Sequence, residues 1–126
     1  ALAADVGEVK VTKGTAHIEG GTERIVVQPG MPVQQSDTVV TGADGSAGIT
    51  FTDNSLLSVG PNSVLAIDKY AFDTTTHVGQ LDTNLKKGTL AVISRKIVKQ
   101  SPEAMRVRTP SSIMGVRGTE FVVKVD

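Results

Sequence analysis

Side chains that could carry out catalysis are scarce in this sequence of 126 residues. It contains no cysteine, and its two histidines, His17 and His77, are far apart and form neither an H-x-H nor an H-x-x-x-H pair. The lack of cysteine excludes a thiolate nucleophile, a disulfide framework and a cysteine-ligated metal. The histidine spacing favours two solvated surface residues over a metal site. We therefore expect no catalytic residue, no metal site and no cofactor.

Three further clusters of polar residues and glycines have structural explanations. Asp44-Gly45-Ser46 and Asp53-Asn54-Ser55 place oxygen atoms close together, but they lack the acidic spacing of a calcium loop, and hairpin turns explain them better. Gly115-Val116-Arg117-Gly118 lacks the spacing and the following helix of a dinucleotide-binding loop, so its glycines favour a bulge or a positive φ. A hydrolase would rest only on carboxylates such as Asp53 and Asp68.

Charge is unevenly distributed along the chain, although the formal net charge is zero. Residues 1–85 carry four basic and ten acidic side chains, a net charge of −6, whereas residues 86–126 carry nine basic and three acidic ones, a net charge of +6. The predicted basic contact face consists of Arg95, Lys96, Lys99, Arg106 and Arg108. Because aromatics are only 3% of the sequence, bases would have nothing to stack on, and we expect no nucleic-acid partner. This face pairs with the acidic part of the same fold or attracts an anionic partner, and we favour the first.

Arg117 is the one basic residue that the strand pattern turns inward. It shares the parity of Phe121 and Val123, so a regular strand would bury it. A buried guanidinium needs acceptors, and Asp37 or Asp53 could supply them. We expect Arg117 to brace the fold rather than to bind a ligand.

The pattern predicts an all-β fold of many short strands joined by tight turns. Runs of β-branched residues with period two alternate with Gly, Asn, Asp and Pro. The predicted strands are 6–12, 15–19, 23–28, 38–41, 47–52, 56–59, 64–67, 80–85, 89–93, 105–109 and 118–125. We expect the first three to form a meander, Lys86-Lys87-Gly88 to close a hairpin, and at most one short helix near residues 94–100. A β-sandwich, a β-barrel and a β-solenoid all fit this pattern.

Composition predicts a single soluble domain over residues 1–126. Hydrophobic residues are 39% and charged residues 21% of the sequence, as in ordinary folded domains, and no apolar run is long enough to insert into a membrane. Ala1-Leu2-Ala3 has the small-x-small pattern that precedes signal-peptidase cleavage. We interpret residues 1–4 as the remnant of such a site or of a tag, and we expect an exported protein, periplasmic or secreted.

Two stretches resemble the FecR domain, the extracytoplasmic domain of iron-dicitrate-type anti-sigma regulators. The closing stretch is Thr109-Pro110 followed by Gly115-Val116-Arg117-Gly118-Thr119-Glu120-Phe121. The middle stretch comprises Gly30, residues 37–41, residues 47–55 and residues 59–63. The resemblance implies a periplasmic all-β unit in which Thr109, Pro110, Gly115, Arg117, Gly118 and Thr119 form a structural motif.

Full regulators of this family relay a signal from an outer-membrane transporter to a cytoplasmic sigma factor. These residues contain no sigma-binding segment and no transmembrane helix, so the resemblance implies a free-standing exported FecR-domain protein or a piece of a longer one. We expect a noncatalytic protein-interaction module in cell-surface signalling or envelope sensing. Its partner would be an unidentified envelope protein, membrane-bound or secreted, held at exposed strand edges.

A cell-wall or glycan-binding module that takes an anionic polymer is the alternative. Sugar rings usually stack on aromatic side chains, and the sequence has no Trp and a single Tyr. This composition disfavours the alternative.

Overall fold

A computed structural model describes residues 5–20, 22–51, 55–72, 79–93, 105–111, 113–115 and 120–125, and these residues form twelve β-strands. The strands are β1 (Asp5–Lys13), β2 (Ala16–Gly20), β3 (Glu23–Val26), β4 (Pro32–Gln34), β5 (Thr38–Thr41), β6 (Ser46–Phe51), β7 (Leu56–Val59), β8 (Val64–Phe72), β9 (Gly79–Ile93), β10 (Met105–Arg108), β11 (Ile113–Gly115) and β12 (Glu120–Val125). The predicted all-β class is confirmed.

The strands make one continuous hydrogen-bonded sheet that is divided into two halves by β9. Sheet A has the order β12-β9-β7-β6-β1-β4, and sheet B has the order β3-β2-β5-β8-β9-β10-β11. Within the described strands every pairing is antiparallel except that of β9 with β10. Antiparallel neighbours are the pattern of a curled, sandwich-like sheet rather than of the parallel coils of a solenoid.

Period-two alternation places one face of each half in a shared core. In β6, Ala47, Ile49 and Phe51 are buried, while the residues between them are partly exposed. The buried side chains of both halves form a single cluster, made almost entirely of Val, Ile, Leu and Ala with Phe51. Branched aliphatic side chains thus fill the core, as the composition predicts.

The chain crosses between the two halves several times, and four of these crossings lie side by side along a line that we call the seam. Its four segments are the connection from β1 to β2, the connection from β5 to β6, the connection from β7 to β8, and the middle of β9. Backbone hydrogen bonds join adjacent segments: Gly42 N donates to Thr15 O, Asn62 N to Gly42 O, and Gly60 N to Thr89 O, each at 2.9 Å. These bonds satisfy backbone groups that no strand partner reaches.

Two buried hydroxyls complete the seam. The Thr41 hydroxyl accepts from Ser63 N at 2.9 Å and lies 2.6 Å from Gly60 O, to which it donates. Ser63 Oγ accepts from Thr89 N at 2.9 Å and donates to Pro61 O at 3.1 Å. Ser63 therefore connects the β7–β8 corner directly to β9.

The predicted hairpin at Lys86-Lys87-Gly88 is wrong, because residues 79–93 form one strand. Residues up to Lys87 pair with β8, and residues from Gly88 onward pair with β12. Gly88 has φ +95°, and a Cβ there would collide with Ser63. Glycine lets β9 bend at this point and continue from sheet B into sheet A.

Other local predictions need correction as well. The first three strands form no meander, since β1 pairs with β4 and β6 while β2 pairs with β3. The turn at Asp44-Gly45 is a seam corner and not a hairpin, because β5 and β6 lie in different halves. The short strands β4 and β11 were not predicted. The helix candidate near residues 94–100 lies outside the described residues.

The bend in β9 yields a first prediction, in which Gly88→Ala is compared with Gly30→Ala. Both glycines have similar positive φ values, +89° at Gly30, but nothing lies within 4 Å of a Cβ added there. Gly30→Ala should cost about 1–2 kcal/mol of unfolding free energy for the backbone alone. Gly88→Ala should cost about 1–3 kcal/mol more, because Ser63 must also move. Urea unfolding measures both, and equal losses would contradict the collision.

The seam yields a second prediction, for Ser63→Ala. Removal of the hydroxyl leaves Thr89 N–H without its acceptor, so the unfolding free energy should fall by about 1–3 kcal/mol. Ser58→Ala is the matched control because Ser58 is exposed on β7, and its effect should stay within about 0.5 kcal/mol. If thermal and urea unfolding show the two variants to be equally stable, Ser63 does not join the corner to β9.

Candidate interaction surface

The carboxylates of the conspicuous turns act as local backbone acceptors. Asp44 Oδ1 accepts from Thr15 N at 3.3 Å across the seam, and Asp37 Oδ2 accepts from Gln34 N at 2.9 Å. Asp68 is exposed on β8, and Asp53 lies outside the described residues. In the part of the chain that the structure describes, no three His, Asp or Glu side chains are grouped so that they could hold a metal ion. These turns therefore serve the fold.

Only part of the predicted basic contact face falls within the described residues. Arg106 and Arg108 are exposed on β10, where they lie in register opposite Asp82 and Asn84 of β9. Arg95, Lys96 and Lys99 lie outside the described residues. The Arg106–Asp82 register places a basic side chain from the basic segment, residues 86–126, opposite an acidic side chain from the acidic segment, residues 1–85.

The predicted structural motif is likewise described in part. Thr109 and Pro110 follow β10 in the turn toward β11, and Gly115 ends β11 opposite Arg106. Arg117, Gly118 and Thr119 lie outside the described residues, so the bracing role of Arg117 remains a prediction.

Large apolar side chains are exposed on three edge strands. On β3, Ile25 is 45% and Val26 is 69% exposed; on β11, Ile113 is 59% exposed; and on β12, Val122 is 69% exposed. Among the described strands, β3, β11 and β12 each pair on one side only. Soluble proteins usually blunt such edges with charge or proline, as Pro32 does on the three-residue edge strand β4. Exposed apolar edges are therefore the candidate interaction surface.

Sequence reasoning named edges as contacts but did not identify these residues. The sequence pattern that could have indicated them is the short run Glu23-Arg24-Ile25-Val26. Its two apolar residues are adjacent in a strand, so they cannot both face a core. That this run forms an edge strand follows only from the order of the strands in the sheet.

The prediction that His17 is a solvated surface residue is wrong: it is only 7% exposed. It lies in register between Val26 of β3 and Val40 of β5, on the face of sheet B opposite the core residue Ile18. Its Nδ1 is 3.3 Å from Arg24 Nη2, and its Nε2 is 3.3 Å from Glu19 Oε1. A guanidinium can only donate, so Nδ1 accepts and Nε2 carries the proton that is donated to Glu19.

This arrangement predicts the tautomer of His17. Long-range proton–nitrogen NMR correlations should show that the imidazole carries a proton at Nε2 and none at Nδ1. Arg24→Ala removes the donor to Nδ1 and should let the Nδ1-protonated tautomer appear. Lys69→Ala, at an exposed position on β8, is the control and should leave the spectrum unchanged. An Nδ1-protonated imidazole in the unsubstituted protein would show that Arg24 does not contact His17.

Comparison with known proteins gives one match. A family model described as FecR protein matches residues 37–126. The match covers the seam from Thr41 onward and every strand from β5 to β12. No curated protein and no solved structure matches the chain. The described residues include no helix that is long and apolar enough to span a membrane.

Proposed function

Because this chain belongs to the FecR family, we propose that it is a noncatalytic module of the cell envelope, periplasmic or secreted, that binds a partner protein in signalling or envelope sensing. FecR domains are regulatory modules and are typically extracytoplasmic. The observation that carries the proposal is the exposure of Ile25, Val26, Ile113 and Val122 on edge strands. Burial of such residues needs a partner surface, and an unpaired strand edge offers backbone hydrogen bonds to a second polypeptide.

The interior and the polar turns support binding at the surface rather than chemistry inside. Each half contributes its apolar face to the single core, and the polar side chains of the seam are occupied with backbone groups. Asp44 and Asp37, the acids nearest the turns, likewise accept from backbone N–H groups. The groups left for recognition are the outward faces and the edges.

The cell-wall or glycan-binding alternative has the exposed pair Arg106 and Arg108 in its favour, because cations attract anionic polymers. Pairing across β9 and β10 places Asp82 next to Arg106, which reduces the net charge of that part of the face. The absence of Trp removes the usual sugar-stacking platform. A protein partner is therefore the better supported proposal.

Site-specific photo-crosslinking in intact cells tests this function. A photoreactive amino acid is placed singly at Val26, Ile113 or Val122 on the edges, and at Ser58 or Asn62 as controls. The controls are also exposed, but Ser58 lies on the interior strand β7 and Asn62 in a seam turn. We expect at least one edge position to give a discrete protein adduct that both controls lack.

Two results would contradict the proposal. Adducts that form equally from edge and control positions would indicate nonspecific contact. Edge positions that capture only cell-wall material, released by salt of a few hundred millimolar, would indicate the charged-polymer alternative.

A further inference from the structure

The edge strand β3 is held in place by a well-packed neighbouring strand. Its neighbour β2 pairs with β5 on the other side, and Ala16 and Ile18 of β2 are buried in the core. Directly after β3, Val27 is buried and its N–H donates to Ala16 O at 3.0 Å. All four residues of β3 are nevertheless exposed. The strand is therefore held in an extended conformation without being covered.

Antiparallel geometry fixes which backbone groups of β3 face outward. The bond from Val27 N to Ala16 O makes that opposed pair a hydrogen-bonded one. Hydrogen-bonded pairs alternate along an antiparallel ladder, so Ile25 directs its N–H and C=O toward Ile18 of β2. Arg24 and Val26 consequently direct their N–H and C=O groups away from β2, toward the free edge.

The side chains at this edge have a defined pattern. Arg24 and Val26 lie on the same face as His17, and the Arg24 guanidinium is held 3.3 Å from His17 Nδ1. Ile25 lies on the opposite face and is partly exposed. From the C-terminal to the N-terminal end of β3, the edge thus carries two apolar residues, then a basic and then an acidic one: Val26, Ile25, Arg24 and Glu23.

We propose that β3 is a strand-addition site that takes an extended, antiparallel segment of a partner protein with two adjacent apolar residues followed by an acidic and then a basic residue. This inference rests on the proposed function and names the site and the chemistry of the partner. The outward groups of Arg24 and Val26 supply the backbone hydrogen bonds, and the partner's acidic residue lies opposite Arg24. The contact with His17 holds Arg24 in place before binding, which lowers the entropic cost of association.

A second copy of this chain fits the edge less well. Outward groups of the two copies meet in four registers, which oppose Arg24 to Arg24, to Val26, to Gln28 or to Thr22 of the other copy. None of them opposes Arg24 to a carboxylate, and the first opposes like charges. Charge complementarity therefore favours a different polypeptide.

Binding of short blocked peptides to the purified domain tests the inference. The test peptide is Thr-Val-Val-Glu-Lys-Thr, and its matched control is the charge-swapped Thr-Val-Val-Lys-Glu-Thr. We expect the swapped peptide to bind about tenfold more weakly. N-methylation of the Glu amide should cost a similar factor, because that N–H faces β3. N-methylation of the second Val amide, which faces away, should have little effect.

Substitutions in β3 provide the reciprocal test. Val26→Pro removes the outward N–H, and edge strands tolerate proline where the N–H faces solvent, so the domain should fold and lose about tenfold in affinity. Val26→Thr keeps the N–H and should stay within about threefold. Arg24→Glu should reverse the preference, so that the charge-swapped peptide binds more tightly than the test peptide.

The outcomes separate this inference from the proposed function. Equal binding of the test, swapped and N-methylated peptides, or no binding of any, overturns the β3 site. If crosslinks from Ile113 or Val122 persist in that case, the proposed function stands without it. Self-association of the domain that Val26→Pro abolishes, with no peptide binding, would show that the occupant is a second copy and overturn the inference. Absence of protein adducts from every edge position contradicts the proposed function itself.

Discussion

The architecture depends on the hydrogen bonds of Ser63. Its hydroxyl accepts from Thr89 N, while its backbone N–H donates to the Thr41 hydroxyl, so this one residue joins the β5, β7–β8 and β9 segments of the seam. The core has few large rings to lock its layers together, and aliphatic side chains alone permit many packings. Directional hydrogen bonds at the line where the halves meet restrict the chain to one arrangement, since a buried polar group left unpaired is costly.

The strand pattern was predictable from alternation, because each strand has one buried face. Strands β2, β5, β6 and β7 were predicted to within a residue or two at their ends. Pairing was not predictable in the same way. Lys86-Lys87-Gly88 has the composition of a hairpin turn, and whether Gly88 reverses the chain or bends it depends on Ser63, which lies far away in sequence. His17 was misplaced for a related reason: Val26 and Val40 cover it only through pairing across three strands.

The residues that resemble the family and those proposed to bind a partner have different roles. Residues 37–41 and 59–63 of the resemblance contribute to the seam and its turns. There, their side-chain oxygens and the backbone of their glycine form hydrogen bonds with backbone groups. The exposed apolar residues of β3 precede the part of the chain that the family model matches. A binding site on an edge strand can change without disturbing the frame, because an edge substitution leaves the seam intact.

The shared strand β9 also determines when the domain can close during folding. Both halves need it: β8 and β10 pair with its first part, and β7 and β12 with its second. Until residues 79–93 arrive, sheets A and B are joined only by the seam corners and by the connections from β3 to β4 and from β4 to β5. Most contacts of the finished fold join residues distant in sequence. Chains with such distant contacts fold slowly, since long loops must be ordered before pairing compensates for them. The domain should therefore pass from open to closed late and cooperatively.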